Sequence, residues 1–145
     1  MKVILTLDDR FGMLFNRRRQ SRDRVLIDRL TDLVGSRRLL MNRYTAGLFT
    51  KGLPEGSEVR EDFLYAAGPD DFCFVENAAL ASFADDVDEV YVFFWNRLYP
   101  ADKRLDLDLT GWTMTPLDEF SGASHSRITL VRYTRPAPEA ESNLT

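Results

Sequence analysis

Apolar residues recur along this chain with two different periods. Residues 2 to 7, "KVILTL", are apolar almost without a break around Thr6, which predicts a strand buried on both faces. Gly12 marks the turn that follows it. In "SRDRVLIDRLTDLVGS" the residues Leu26, Leu30, Leu33 and Val34 fall on one helical face, with Ser21 placed to cap the helix and Gly35 to end it. "RRLLMN" predicts a short second strand and "RYTAGLF" a shorter helix that stops near Gly52-Leu53-Pro54. "DFLYAA" predicts a third strand closed by the turn "GPDD", and "FCFVE" a fourth. "NAALASFADD" predicts a short helix capped by Asn77.

The longest apolar stretch, "VDEVYVFFWNRLYPAD", is rich in aromatic and β-branched residues and predicts a central strand over residues 88 to 96, with Phe93 and Trp95 in the core. "GWTMTPLDEF" and "SRITLVRYTR" predict a C-terminal antiparallel pair, the second arm pairing with the central strand. The "DLDL" run, Asp106 to Leu109, alternates as an edge strand does. The fold class is therefore α/β, a single domain over residues 1 to 135 with a mixed central sheet flanked by helices; "PAPEAESNLT", residues 136 to 145, predicts a disordered tail.

Composition narrows the function classes. At 145 residues, 44% apolar and 29% charged, the chain is long enough for one core. No apolar run is long enough to cross a membrane and the N-terminus lacks a signal pattern, so cytoplasmic residence without a membrane partner is the expectation. The lone Cys73 reads as a small buried hydrophobe. A single histidine, His125, does not furnish a zinc hydrolase, and no metal site is expected. Ser124 beside it is set aside as a nucleophile, because neighbours in a strand point to opposite faces.

Charge changes the picture most. Residues 1 to 45 carry a net +6 and the remainder a net −10, and six arginines fall between residues 10 and 24. The loop over residues 10 to 20 is expected to be anchored by Met13, Leu14 and Phe15, with the arginines fanning outward. Three explanations stay open for the cluster: pairing with acidic residues of the second half, capture of a small anion, or nucleic-acid binding. The last is disfavoured because it needs a broad basic face. The candidate anion or nucleotide ligands are Arg17, Arg18, Arg19 and Arg22, and Asp23 is the candidate catalytic carboxylate.

In order, these motifs resemble dihydrofolate reductase. "VILTLDDRFGM" resembles that family's first strand and the turn into its mobile loop, and Asp23 then falls near its catalytic carboxylate. "LLMNRYT" resembles the motif M-G-R-x-T, which implies that Arg43 and Thr45 hold cofactor phosphate. "FLYAAGPDD" and the run from "VYVFFWNR" to "RITLVRYTR" resemble the later strands and the last hairpin. The departures are equally specific. No Gly-Gly occurs, which implies that one strand-helix unit is missing and disfavours NADPH. The family's Pro-Trp is replaced by "FNRRRQ", the residue that orients the carboxylate by Phe93, and cofactor-contacting serines by Ala66 and Ala67. The chain also resembles short bacterial proteins with the pattern DDxxGMxFNxRRQSxDR and WNRxYPxD, some of them labelled ribonuclease Z, an activity that needs a two-metal site. The reading that results is a non-catalytic binding or interaction module on a degenerate dihydrofolate reductase-like scaffold, without a cofactor, taking a small anion or nucleotide. The alternatives are a nicotinamide-dependent reductase of a pterin- or flavin-like substrate, or weak nucleic-acid binding. A homodimer is left open.

Overall fold

A computed structural model of the chain describes residues 1–136. All of the expected tail except Pro136 lies outside the described residues. The architecture is a mixed α/β fold built on a seven-stranded mixed sheet with few helices. The strands are β1 (Lys2–Leu7), β4 (Leu39–Met41), β5 (Ser57–Val59), β6 (Phe72–Phe74), β7 (Glu89–Phe94), β9 (Thr113–Phe120) and β10 (Ile128–Thr134), in the order β5-β4-β6-β1-β7-β10-β9. The first five in that order run parallel; β10 is antiparallel to β7, and β9 to β10. A three-stranded antiparallel sheet stands apart, made of β2 (Gly12–Phe15), β3 (Arg18–Arg19) and β8 (Lys103–Arg104).

The main sheet is buried on both faces, which is why its strands read as continuous apolar runs. Val3, Leu5 and Leu7 of β1 face one core with Val90 and Val92 of β7. Ile4, Phe72, Phe74 and Phe93 face the other, under α1 (Arg24–Val34). Leu26, Leu30 and Val34 are the residues α1 buries, as its periodicity predicts, and Gly35 ends it at φ 61°. Phe93 and Trp95 are core residues, and Cys73 is fully buried, its thiol pushed up to about 12 by desolvation.

Several elements differ from the sequence reading, each for a local reason. Asp23, not Ser21, caps α1. The second helix α2 (Arg43–Ala46) is a single turn capped by Asn42. "DFLYAA" is not a strand: Phe63–Ala66 is a helical turn, α3, because Phe63 and Leu64 are adjacent and both buried, which strand alternation forbids on a one-sided surface. Residues 81–86 form a 3₁₀ turn, and Asn77 instead accepts from Asn42 Nδ2 at 2.7 Å. "DLDL" forms no strand; Asp106 accepts from the backbone N–H groups of Leu80 and Ala81. The expected loop over 10 to 20 is a β-hairpin, β2–β3, whose tip residues Asn16 and Arg17 both have positive φ, at 55° and 64°.

Gly12 sits where the hairpin leaves β1, and a Cβ there would stand 2.6 Å from Asp8 Oδ2 and 2.8 Å from Ala101 Cβ. Gly12→Ala is therefore expected to destabilise by about 2 kcal/mol, read as a lower urea midpoint with an unchanged slope; an unaffected midpoint would mean the hairpin base is loosely packed.

Candidate functional site

Polar groups excluded from both core faces collect at the carboxyl ends of the parallel strands. Asp8 follows β1, Glu76 lies just beyond β6, and the loop carrying Ser124 and His125 precedes β10, whose start pairs with the end of β7. Asp8, Asp23, Thr45, Glu76 and His125 are all buried there.

Asp8 organises the hairpin base. Its Oδ1 accepts from the backbone of Arg10 (2.8 Å) and Gly12 (2.7 Å), and its Oδ2 from Gln20 Nε2 (3.0 Å) and Tyr99 N (3.3 Å). Desolvation alone would raise its pKa, but these four donors outweigh it and hold the carboxyl below the usual range.

Asp23 is the most heavily bonded acid. Oδ1 accepts from Val25 N (2.9 Å), Leu26 N (3.2 Å) and Ala123 N (3.0 Å), and Oδ2 from Ser124 N (2.7 Å) and Ser124 Oγ (2.8 Å). Burial opposes its charge, but the Ala123, Ser124 and Leu26 donors prevail, and its pKa lies well below the ordinary carboxylate range. A group held ionised in this way keeps no proton to donate at neutral pH. The space beside it, bordered by Thr6, Leu26, Phe74, Glu76 and Trp95, is about 10 Å³, no more than a water.

Of the arginines, Arg19 alone turns inward. It grips Glu76 with two parallel bonds, Nε to Oε2 at 2.9 Å and one terminal nitrogen to Oε1 at 3.0 Å, and lies over the Tyr44 ring. Burial works against its charge, but Glu76 raises its pKa. Thr45 Oγ1 donates to the same carboxylate at 2.9 Å. Arg19 and Thr45, both read from the sequence as anion ligands, thus meet on an internal anion that the sequence reading did not single out. Arg17, Arg18, Arg22 and Arg43 are exposed, and no salt bridge is formed by them among the described residues. Arg43 stands apart on α2, its backbone N–H bonded to Glu61.

Ser124 and His125 correct a sequence expectation. Residues 121 to 127 lie between β9 and β10, so strand alternation does not separate their side chains, and Ser124 Oγ is 2.9 Å from His125 Nδ1. The small-residue run "SGASHS" was the available loop signal. The pair is nonetheless wired against nucleophilic attack. Ser124 has one proton, and both Asp23 Oδ2 and Arg22 O compete for it at 2.8 and 2.9 Å, so His125 Nδ1–H donates to the serine. Tyr99 OH then donates to Nε2 at 2.6 Å, and Trp95 stacks on the ring. Desolvation lowers the His125 pKa, with Arg97 adding to it, against the opposing charge of Asp23, so the ring is neutral. Among the described residues, no three His, Cys, Asp or Glu side chains converge as metal ligands, and no helix is long and apolar enough to cross a membrane.

Two outcomes follow. Asp23→Ala orphans five donors and is expected to cost about 2 to 4 kcal/mol, whereas Asp23→Asn, which keeps a cap acceptor, costs less; equal costs in denaturant titration would mean that charge, not capping, is what counts. His125 binds a proton more readily unfolded than folded, so its contribution is complete above the unfolded value of 6.5 and is lost as pH falls through the lower folded pKa. The thermal midpoint should therefore drop on acidification below about pH 6.5, and His125→Gln should flatten that drop; a midpoint that rises instead would show the imidazolium to be the favoured form. In the comparisons with known proteins, no family model and no curated protein matches this chain.

Proposed function

We propose that this chain is a non-catalytic binding module that captures a small anionic ligand, a nucleotide in size and class, with its arginine hairpin. The observation that carries this reading is a cavity of about 430 Å³ between the hairpin and residues 99–100, lined by Phe15, Arg18, Arg19, Gln20 and Tyr99. Phe15 is 48% exposed beside it, an aromatic face available for stacking. Arg18 supplies a guanidinium whose charge no carboxylate satisfies among the described residues, and Arg17 stands next to it at the tip. The tip itself supports the reading: Arg17 holds a left-handed backbone that glycine would adopt about 1 kcal/mol more cheaply.

The filled space at Asp23 and the capping role of that carboxylate favour binding over hydride transfer, which needs room for two rings against each other. On this reading the scaffold is a degenerate dihydrofolate reductase-like one, a proposal supported by the mixed sheet of parallel strands with a C-terminal antiparallel hairpin.

The test is a thermal-shift series with adenosine monophosphate, reduced and oxidised nicotinamide dinucleotides, folate and inorganic phosphate. A ligand at a hundred times its dissociation constant adds about 2.7 kcal/mol, a midpoint shift of several degrees. Arg17→Gln with Arg18→Gln should keep the ligand-free midpoint and lose the shift. Flat curves throughout would remove the proposal, and turnover of a reduced nicotinamide cofactor that depends on Asp23 would replace it with catalysis.

A further inference from the structure

We infer that a second cavity, between residues 95–97 and 124–127, is an oxyanion site that takes a phosphate monoester through Arg97, Ser126 and Arg127. The cavity measures about 370 Å³, enough for a phosphate with a small organic group attached. Its lining contains two arginines, two serines, an asparagine, Trp95 and His125, and no carboxylate. Arg97 forms no salt bridge among the described residues and only borders the Tyr99 ring at 5.7 Å. Arg127 reaches Glu119 at 3.4 Å, but both side chains are more than half exposed, so that pairing is weak and displaceable.

The walls are fixed in advance, which lowers the ordering cost of binding. Asn96, at φ 56°, sends its Nδ2 to Arg127 O (3.2 Å) and Thr129 Oγ1 (3.3 Å), tying one wall to the other. Below them the Trp95–His125 stack, with centroids 4.6 Å apart, forms the floor. His125 is held from both sides by Ser124 and Tyr99, so the floor does not swing into the cavity. Two acids stand nearby and neither lines the cavity: Glu119 on the exposed side of Arg127, and Asp23, buried behind Ser124 with five donors on its oxygens. Within the lining a bound oxyanion meets two arginines and hydroxyls and no carboxylate, and it takes the place of Glu119 on Arg127.

His125 is the chain's one histidine, so its imidazole resonances report this floor without ambiguity. The full chain is titrated with inorganic phosphate and with phenyl phosphate at fixed pH and ionic strength, potassium chloride serving as the blank. Saturable movement of the His125 signals with both phosphates and none with chloride is expected. Arg97→Gln and Arg127→Gln should each weaken binding about tenfold, the double variant should abolish it, and Lys51→Gln, a charge control on a distant turn, should leave it unchanged. Each variant's amide spectrum verifies the fold. Movement that never saturates, or that survives the double variant, overturns the inference. Movement lost instead in the Arg17→Gln, Arg18→Gln chain also overturns it, since the ligand then occupies the hairpin cavity; the two sites thus fail separately.

Discussion

One carboxylate joins the two ends of this fold. Asp23 caps α1 and, with its remaining lone pairs, accepts from Ala123, Ser124 N and Ser124 Oγ a hundred residues later. The start of the first helix and the turn of the C-terminal hairpin are therefore tied by one buried charge, beside the apolar core and the Arg29–Asp118 pair that the helix and the hairpin share. Gly122 makes that approach feasible: a Cβ there would lie 2.5 Å from Asp23 Oδ2 and 2.7 Å from Ile128 Cδ1. Ionised Asp23 can only accept, so the serine proton goes to it or to Arg22 O, His125 then donates to Ser124, and Tyr99 donates to His125. The orientation of the whole chain of hydrogen bonds is a consequence of the one cap.

Buried acids elsewhere at this edge obey the same logic. Asp8 is stabilised as an anion by backbone and amide donors, and Glu76 is paired with Arg19 and accepts from Thr45. Removing charge from water is costly unless each oxygen is paired, and here each is. The internal charge matching read from the sequence is thus real but narrow. Arg19 meets Glu76, Arg29 meets Asp118, and Arg38 meets Glu58 and Asp71. Arg10, Arg17, Arg18, Arg22 and Arg24, the rest of the conspicuous cluster, take no part in it among the described residues.

What was legible in the sequence depended on whether one period dominated a segment. The helix over Arg24–Val34, the central strand over Glu89–Phe94 and its antiparallel partner all follow from strong periodicity. Asp106–Leu109 was misread because apolar alternation also arises where a loop drops alternate side chains, here Leu107 and Leu109, onto the core, and Phe63–Ala66 because a short apolar run does not distinguish a strand from a helical turn. Within the candidate site, Arg19, Asp23 and Thr45 were legible as residues that matter, but their partners were not. Glu76 lies 57 residues from Arg19 and Ser124 lies 101 from Asp23, and only the mixed sheet topology brings their segments to one rim.

An acidic chain, with formal net charge −4, can still present an anion-attracting rim, because charge acts locally in salt solution. The acids Asp85, Asp86 and Asp88 border a cavity with Met1, at the amino ends of β1 and β7. The arginine hairpin and Arg97 stand at the opposite ends of the same strands. β1 has six residues, so the two groups are separated by about 20 Å of strand. That is roughly twice the screening length of about 8 to 10 Å at physiological salt. An incoming phosphate at the rim is therefore attracted by the nearby guanidinium groups and is scarcely repelled by the distant aspartates. The parallel sheet keeps Asp85, Asp86 and Asp88 away from the exposed guanidinium groups, while Asp8, Asp23 and Glu76 at the rim are buried under their donors, and net charge, which sums all of them, conceals the field at either edge.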